Sequence, residues 1–211
     1  MRPGDARTGR GRPPGRGPKV RTAVLGAALG ELTDTGYAAL TVENVARRAG
    51  VHKTTVYRRW NDRDSLVADA VSELAATRVP FPDSGDIRAD LRTLARSLVR
   101  FLASPAGQAV TAIRLSDAGR IPQVASAQRH FFEDRYRQAE PVIRAAIARA
   151  ELPAGVDPAE VVRAVTAPIF LRVLVTAEPI SERIADAAAD AALAAARAGA
   201  LSPPADAADC P

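Results

Sequence analysis

Residues 41–60 read TVENVARRAGVHKTTVYRRW, and this stretch decides how the chain folds. Thr41 is a suitable N-cap, and the apolar residues behind it recur at the spacing of one helix face. These residues are Val42, Val45, Ala46 and Ala49. The helix should end at Gly50, because glycine adopts the left-handed conformation of a sharp helix exit without steric cost.

A second short helix should follow the turn and be held by one face only. Val51 would fill the corner, and Val56 and Trp60, four residues apart, would pack inward. A bracing helix followed by a presented helix is the helix-turn-helix arrangement, in which the second helix enters the major groove of DNA. The predicted DNA contacts in this motif are Thr41, Lys53, Thr54, Thr55, Tyr57, Arg58 and Arg59.

The roles within this set differ along the second helix. Lys53, Thr54, Thr55 and Tyr57 are expected to contact bases and phosphates, since the N-terminal end of such a helix points into the groove. The next two arginines are expected to clamp the DNA backbone or to remain solvated. Tyr57 has an alternative place in the core, although the tryptophan already supplies a buried ring there.

The same residues carry a close family resemblance. With residues 20–40 (VRTAVLGAALGELTDTGYAAL) before them and residues 61–71 (NDRDSLVADAV) after them, they resemble the N-terminal domain of the TetR family of transcriptional regulators. The shared features are Gly36-Tyr37, Thr41-Val42, Ala49-Gly50-Val51, Val56-Tyr57-Arg58, the aromatic residue at position 60 and Asp64-Ser65-Leu66. Residues 18–78 match at family spacing.

The resemblance implies an all-α fold. An N-terminal three-helix helix-turn-helix domain, residues 18–78, would be linked by its fourth helix to a larger helical domain for ligand binding and dimerisation. Two features depart from the family pattern. His52 stands where a small Ser-like cap is common, and Gly26 and Gly30 interrupt the first helix at a cost of roughly 1 kcal/mol each.

Composition agrees with helices and bounds the class of protein. The chain has 211 residues, is 47% hydrophobic and only 4% aromatic, and is rich in alanine, which favours helices over sheets. Its one cysteine, Cys210, permits no intrachain disulfide. No apolar run is long enough to span a membrane and no signal peptide is present, so we expect a cytoplasmic protein.

The net charge of +5 is concentrated at the N-terminus. Residues 1–21 hold seven basic side chains and one acidic one, whereas the rest of the chain is nearly balanced. Residues 1–17 are rich in Gly and Pro and should form a disordered basic arm. Within it, Arg10-Gly11-Arg12-Pro13 resembles an AT-hook core, which predicts that Arg10 and Arg12 enter a narrow minor groove. The alternative is a solubilising leader.

Proline and turn-forming residues divide the remainder. The segment VPFPDSGD, residues 79–86, predicts a domain boundary after a helix over 63–78. Further helices are expected within a second domain, residues 86–198, followed by a flexible tail, residues 199–211. Pro141 and Pro168 fall inside these helices and should kink or split them, because each removes a backbone hydrogen bond.

The end of the second domain is predicted to form a dimer interface. Residues 167–180 (APIFLRVLVTAEPI) resemble the penultimate helix of many TetR-family proteins, which implies that residues 158–176 and 181–198 pair with their copies in a second subunit. The proposed interface residues are Val161, Val165, Ile169, Val173, Ile184, Ala188, Ala191 and Ala195. The alternative is that they form intrachain core.

Aromatic residues of the second domain cluster on its first three helices and predict an effector pocket. The candidate lining residues are Phe101, Ile113, Arg114, Gln128, Phe131, Phe132 and Tyr136. Arg114 would favour an acidic ligand. Two alternatives are plain core packing at these residues and a ligand site at the subunit interface.

No set of residues suggests catalysis, a metal site or a cofactor. The two histidines, His52 and His130, are far apart and lack carboxylates at metal-ligand spacing. The helix-turn-helix motif predicts a DNA-binding regulator, and the family resemblance implies that it is homodimeric and ligand-responsive. A repressor is favoured over an activator because the family mostly represses. Two alternatives remain: a general architectural DNA-binding protein led by the basic arm, and a regulator whose second domain binds another protein.

Overall fold

The computed structural model describes residues 16–116 and 122–202, and helices account for most of them. The N-terminal part contains α1 (Arg16–Ala39), α2 (Val42–Arg48), α3 (Lys53–Tyr57) and α4 (Arg63–Arg78). The larger part contains α5 (Ile87–Ala103), α6 (Pro105–Leu115), α7 (Pro122–Ala148), α8 (Pro158–Leu171), a π-helical turn (Arg172–Thr176) and α9 (Glu182–Arg197). No strand occurs within these ranges.

Helix starts follow the sequence signals closely. Thr41, Asp62 and Asp157 cap α2, α4 and α8 as N-caps, each accepting a backbone N–H into its side chain. Asp62 forms a capping box with Ser65, and Pro158 opens α8, as an Asp-Pro pair predicts. Of the predicted arm 1–17, residues 16 and 17 instead lie in α1, and the rest of that arm falls outside the described residues.

The first helix is interrupted close to its end. Gly36 has φ 78° and ψ 168°, a backbone conformation that is open almost only to glycine. The break turns the chain so that Tyr37 points back toward α4, where it meets Asp64. The Gly36-Tyr37 pair therefore ends the regular part of α1.

Each part has its own hydrophobic core, and α6 joins them. The N-terminal core contains Val24, Leu32, Val45 and Leu66 from α1, α2 and α4. Ile113 of α6 packs into this same core although it belongs to the larger domain. A Cβ at Gly107 would collide with the backbone of Phe101, so only glycine permits the tight turn from α5 into α6.

The core of the larger domain corrects the predicted dimer stripe. Val161, Val165 and Ile169 are 0% exposed within a single chain, and Ala188 is 5% exposed. All four belong to the intrachain core of the larger domain, so the prediction that they contact a partner subunit is wrong. The apolar stripe of α8 faces inward because α9 and α7 pack against it, with a smaller contribution from α5.

The remaining predicted interface residues keep contact with solvent. Ala191 is exposed, and Val173, Ile184 and Ala195 are half-buried.

The two prolines do not split their helices. Pro141 lies within α7 and Pro168 within α8, and both helices continue past them. Of the two expected effects, a kink or a split, the split is therefore not observed. After Pro168, α8 continues to Leu171 and passes directly into the π-helical turn. No helix in the described ranges is long and apolar enough to cross a membrane.

Candidate nucleic-acid interface and cavity

The turn between α2 and α3 is built by short-range contacts. The hydroxyl of Thr41 accepts from the backbone N–H of Asn44 at 3.2 Å. Gly50 takes φ 67°, and the N–H of Val51 returns to the carbonyl of Ala46 at 3.0 Å. His52 caps α3 through its ring Nδ1, so it fills the capping role despite departing from the family pattern.

One face of α3 is anchored in the core. Val56 is 0% exposed and Trp60 is 6% exposed. The indole N–H of Trp60 donates to Asp69 of α4 at 3.0 Å, and the same carboxylate accepts from Arg21 of α1 at 3.0 Å. The position of α3 is therefore tied to both α1 and α4.

The other face of α3 is presented to solvent. Lys53, Thr54, Arg58 and Arg59 are exposed, and Tyr57 is 46% exposed. The alternative that placed Tyr57 in the core is wrong, since Val56 and Trp60 already occupy that space. The face offers a phenol, a hydroxyl and several cations, which are groups that bind base edges and phosphates.

Two predicted residues of the motif are less available. Thr55 is half-buried, and the Thr41 hydroxyl is engaged as a cap. Arg48 of α2 pairs with Asp34 at 2.6 Å and with Glu31 at 3.3 Å, so it braces α2 against α1. The predicted contacts Arg10 and Arg12 lie outside the described residues.

A cavity of about 180 Å³ lies between α1, α4, α5, α6, α7 and α8. All seven residues predicted as a pocket line it: Phe101, Ile113, Arg114, Gln128, Phe131, Phe132 and Tyr136. The wall also holds Phe81, Phe170 and Tyr37, so it contains all five phenylalanines of the chain and two of its three tyrosines. The space is therefore open and ring-lined rather than filled by the protein's own side chains.

The cavity reaches into the N-terminal part, which sequence reasoning did not foresee. Val67, Ala68 and Val71 of α4 form part of its wall, beside Tyr37 and Asp64. No separate signal marked this part of the wall, because Val67 and Val71 also serve the N-terminal core.

Tyr37, Arg63 and Asp64 form a polar cluster where the cavity meets the N-terminal part. The Tyr37 hydroxyl donates to Asp64 at 2.7 Å, and burial together with that carboxylate raises the pKa of Tyr37 to about 12. The Arg63 guanidinium lies 4.3 Å from the centre of the Tyr37 ring and donates to Asp64 at 3.2 Å. These contacts join the end of α1 to the start of α4.

Two arginines contribute charge to the cavity. Arg114 lies 5.7 Å from the centre of the Phe132 ring and faces the amide of Gln128, whose oxygen can accept from it. Its side chain keeps contact with solvent, yet desolvation lowers the pKa of Arg114.

Arg135 is the polar wall residue that sequence reasoning missed. It is 7% exposed, and burial lowers its pKa to about 10. The surrounding sequence, EDRYRQ, reads as a solvated helix face. The available signal was spacing: Arg135 follows Phe131 by four residues and Phe132 by three, and so shares their face.

Comparison with known families identifies the class. Residues 24–70, which include α2 to α3, match the model of the bacterial regulatory proteins of the tetR family. Residues 81–192, which include most of the larger domain, match the tetracyclin repressor-like C-terminal domain. The chain belongs to the TetR family of transcriptional regulators. The helix-turn-helix and the helical second domain implied by the resemblance are thus confirmed.

Individual relatives agree with this assignment. The chain is 32% identical over 175 residues to the uncharacterized HTH-type transcriptional regulator YdeS of Bacillus subtilis, covering 82% of this chain and 86% of YdeS. It is also 32% identical over 142 residues to the HTH-type transcriptional regulator AqdR of Rhodococcus erythropolis, covering 67% and 68% of the two chains.

A solved structure shares the whole fold. The TetR family transcription regulator SCO0332 superimposes with a TM-score of 0.70 at 30% identity, covering 83% of this chain and 97% of that one. The flavonoid-responsive regulator FrrA shares the fold alone, with a TM-score of 0.60 at 23% identity, covering 89% of this chain and 100% of FrrA.

Proposed function

We propose that the protein is a repressor that binds a palindromic operator as a homodimer and leaves it when a small molecule enters the cavity. One observation carries this proposal. The cavity is walled on one side by Tyr37 and α4, which position the DNA-reading helix, and on the other by α5 to α8. A molecule bound there touches both domains at once.

The DNA half of the proposal rests on symmetry. In a two-fold dimer, two copies of α3 enter successive major grooves only if they stand about 34–36 Å apart. The exposed face of α3 reads each half-site, and the basic arm, including Arg10 and Arg12, adds phosphate and minor-groove contacts.

The dimer would form through the outward faces of α8 and α9. On α8 and the turn after it, Leu171 is 51% exposed and Val175 is 73% exposed. On α9, the outward row consists of alanines at helical spacing: Ala187, Ala191, Ala194 and Ala198. Small side chains allow helices to approach closely, so this surface suits packing against its own copy.

Coupling between ligand and DNA would pass through α4. Its cavity-facing side carries Val67 and Val71, and Asp69 on the same helix holds Trp60 behind α3. A ligand that binds better when α4 is displaced would favour dimers whose reading helices no longer match the groove spacing. By linkage, the ligand then lowers operator affinity by the same factor by which the bound operator lowers ligand affinity.

Footprinting on DNA from around the protein's own gene tests the proposal. We expect one short protected palindrome, with release when a cavity ligand is added. An architectural protein led by its basic arm would instead protect many unrelated sites. Protection that lacks two-fold symmetry, or that no small molecule can relieve, would contradict the proposal.

A further inference from the structure

Arg135 places a positive charge where little stabilises it. Its side chain is buried in a cavity wall that is otherwise mainly apolar and aromatic. Removing a guanidinium from water is strongly unfavourable unless an anion and good hydrogen bonds replace the solvent. The neighbours of the Arg135 guanidinium therefore show whether an anion is already present or must come from a ligand.

The partners of Arg135 are all neutral. It donates to the carbonyl oxygen of Val79 and to the side-chain oxygen of Gln138 at 3.0 Å, and it lies 4.2 Å from the centre of the Phe81 ring. Within residues 16–116 and 122–202, no carboxylate forms an ion pair with it. With a pKa of about 10, the group remains charged at neutral pH.

The rest of the wall favours flat rings. Phe132 makes edge-to-face contacts with Phe131, at 5.1 Å between ring centres, and with Phe170, at 6.0 Å. Only Tyr57 and Trp60 among the aromatic residues of the chain lie elsewhere. Aromatic side chains pack best against other rings in edge-to-face or offset geometry.

We propose that the cavity binds an aromatic carboxylic acid, with its ring system among the phenylalanines and its carboxylate on Arg135. This inference rests on the proposed effector site and specifies its ligand class. A guanidinium binds a carboxylate through two parallel hydrogen bonds, which gives both charge and geometry. Arg114 is the other cation of the wall, but it faces Gln128 and solvent, so a carboxylate gains less there.

The Arg135 side chain also links ligand binding to α4, the helix that positions the DNA-reading helix α3. Val79 is the C-cap of α4, and Arg135 of α7 binds its carbonyl. A carboxylate that draws this guanidinium toward itself weakens the hold of α7 on the end of α4. Ligand binding and the position of α4 are thereby linked through one side chain.

Calorimetry on the full chain tests the ligand class with matched pairs of probes. The acids are 2-naphthoate, biphenyl-4-carboxylate and anthracene-9-carboxylate, each measured beside the corresponding arylmethanol. We expect at least one acid to bind about tenfold or more tightly than its alcohol. In Arg135→Gln, affinity for that acid should fall about 30-fold, while affinity for the alcohol should change little.

Arg144→Gln is the matched control, because Arg144 lies on the same helix but on its exposed side, paired with Glu140. It should leave both affinities unchanged. If Arg135→Gln does not fold, Arg135→Lys is the second variant. It keeps the positive charge but loses the planar guanidinium that forms two parallel hydrogen bonds with a carboxylate, so acid binding should be about tenfold weaker.

The proposal is overturned if no acid binds more tightly than its alcohol, or if the preference survives in a folded Arg135 variant. Operator release is measured separately by gel shift. Acid binding that depends on Arg135 but never releases DNA would sink the effector function and keep the ligand class. If only the neutral aryl alcohols release DNA, the effector function is supported and the proposed ligand class is wrong.

Discussion

At the level of single residues, we expect Tyr57 and Lys53 to contact the bases and phosphates of the operator. Both are exposed on the free face of α3. Tyr57→Phe removes one hydroxyl from each subunit, and losing a hydroxyl that hydrogen-bonds to DNA should cost about 1 kcal/mol per half-site, or about 2 kcal/mol for the dimer on its operator. Lys53→Ala should weaken binding and lower the salt slope of log K by about 0.9 per subunit, or about 1.8 for the dimer, because each copy leaves one phosphate without its cation.

Fluorescence anisotropy with a labelled operator at several salt concentrations measures both effects. Arg144→Ala removes a cation far from α3 and serves as the control for net charge. Unchanged operator affinity in both Tyr57→Phe and Lys53→Ala would show that this face does not read DNA.

Two glycines of α1 should respond in opposite directions to alanine. Gly26 lies in regular helix, and an added Cβ would meet nothing within 4 Å, so Gly26→Ala should stabilise the fold by about 0.5–1 kcal/mol. Gly36 has φ 78° and ψ 168°, so Gly36→Ala should destabilise it by roughly 1–3 kcal/mol. Urea unfolding of the two variants beside the parent protein measures both; a stable Gly36→Ala would contradict the conformational argument.

At the level of elements, α5 and α9 are joined by a row of ion pairs. Arg88, Arg92, Arg96 and Arg100 repeat every four residues along α5, which places them on one face. They meet Glu182, Asp186 and Asp190 of α9. Arg96 binds Asp186 through two hydrogen bonds of 2.6 Å. The row lies at the rim of the apolar contact and fixes the register of the two helices.

This row predicts a pH dependence of stability. Hydrogen bonds from Arg96 hold the pKa of Asp186 below its ordinary value of 3.8, and Arg92 does the same for the pKa of Asp190. A depressed carboxyl pKa stabilises the folded state above the unfolded value and loses that effect as the pH falls through the folded pKa. The row should therefore contribute above about pH 4 and fade below it.

Thermal unfolding of Arg96→Gln tests this dependence. Its melting temperature should lie below that of the parent at pH 7, and the difference should shrink at pH 3 and in high salt, where charges are neutralised or screened. Arg144→Gln, which breaks a pair inside one helix, should have a smaller effect. A difference that does not shrink at all as the pH is lowered below about 4, or in high salt, would assign the loss to packing instead.

At the level of the whole molecule, the outward faces of α8 and α9 predict the oligomeric state. Ala191→Glu places a charge in the row of alanines on α9 that we propose packs against the partner subunit. Burying this charge in the interface is unfavourable, so the variant should convert dimers to monomers. Ala148→Glu, at an exposed position of α7, is the control. Sedimentation velocity separates the outcomes, and dimers that persist with Ala191→Glu would place the interface elsewhere.

The basic N-terminal arm is expected to contribute to operator binding by the whole molecule. Deleting residues 1–15, which precede α1, should weaken operator binding and flatten its salt dependence by about 0.9 for each phosphate that the arm neutralises. Circular dichroism should show that the fold is retained. An unaltered salt slope would identify the arm as a solubilising leader.

Sequence reasoning succeeded where the signals are local. Helix ends could be located because caps, glycines and prolines act within a few residues, as at Thr41, Gly50 and Asp157. The helix-turn-helix motif could also be predicted, because the inward-facing pair Val56 and Trp60 leaves only one face of α3 free to contact DNA. The cavity residues of α5 to α7 were found because large rings stand out in an alanine-rich domain.

By itself, then, the sequence determined the helices, their order and the family, whereas tertiary structure decided which apolar faces meet. Val161, Val165 and Ile169 form a stripe that suits either a partner or a core, and only the packing of α9, α7 and α5 around α8 shows that it is core. Arg135 reads as a surface residue until Val79, 56 residues earlier in the chain, and Phe81 close over it. The physical reason is that burial depends on neighbours distant in sequence, which local periodicity does not encode.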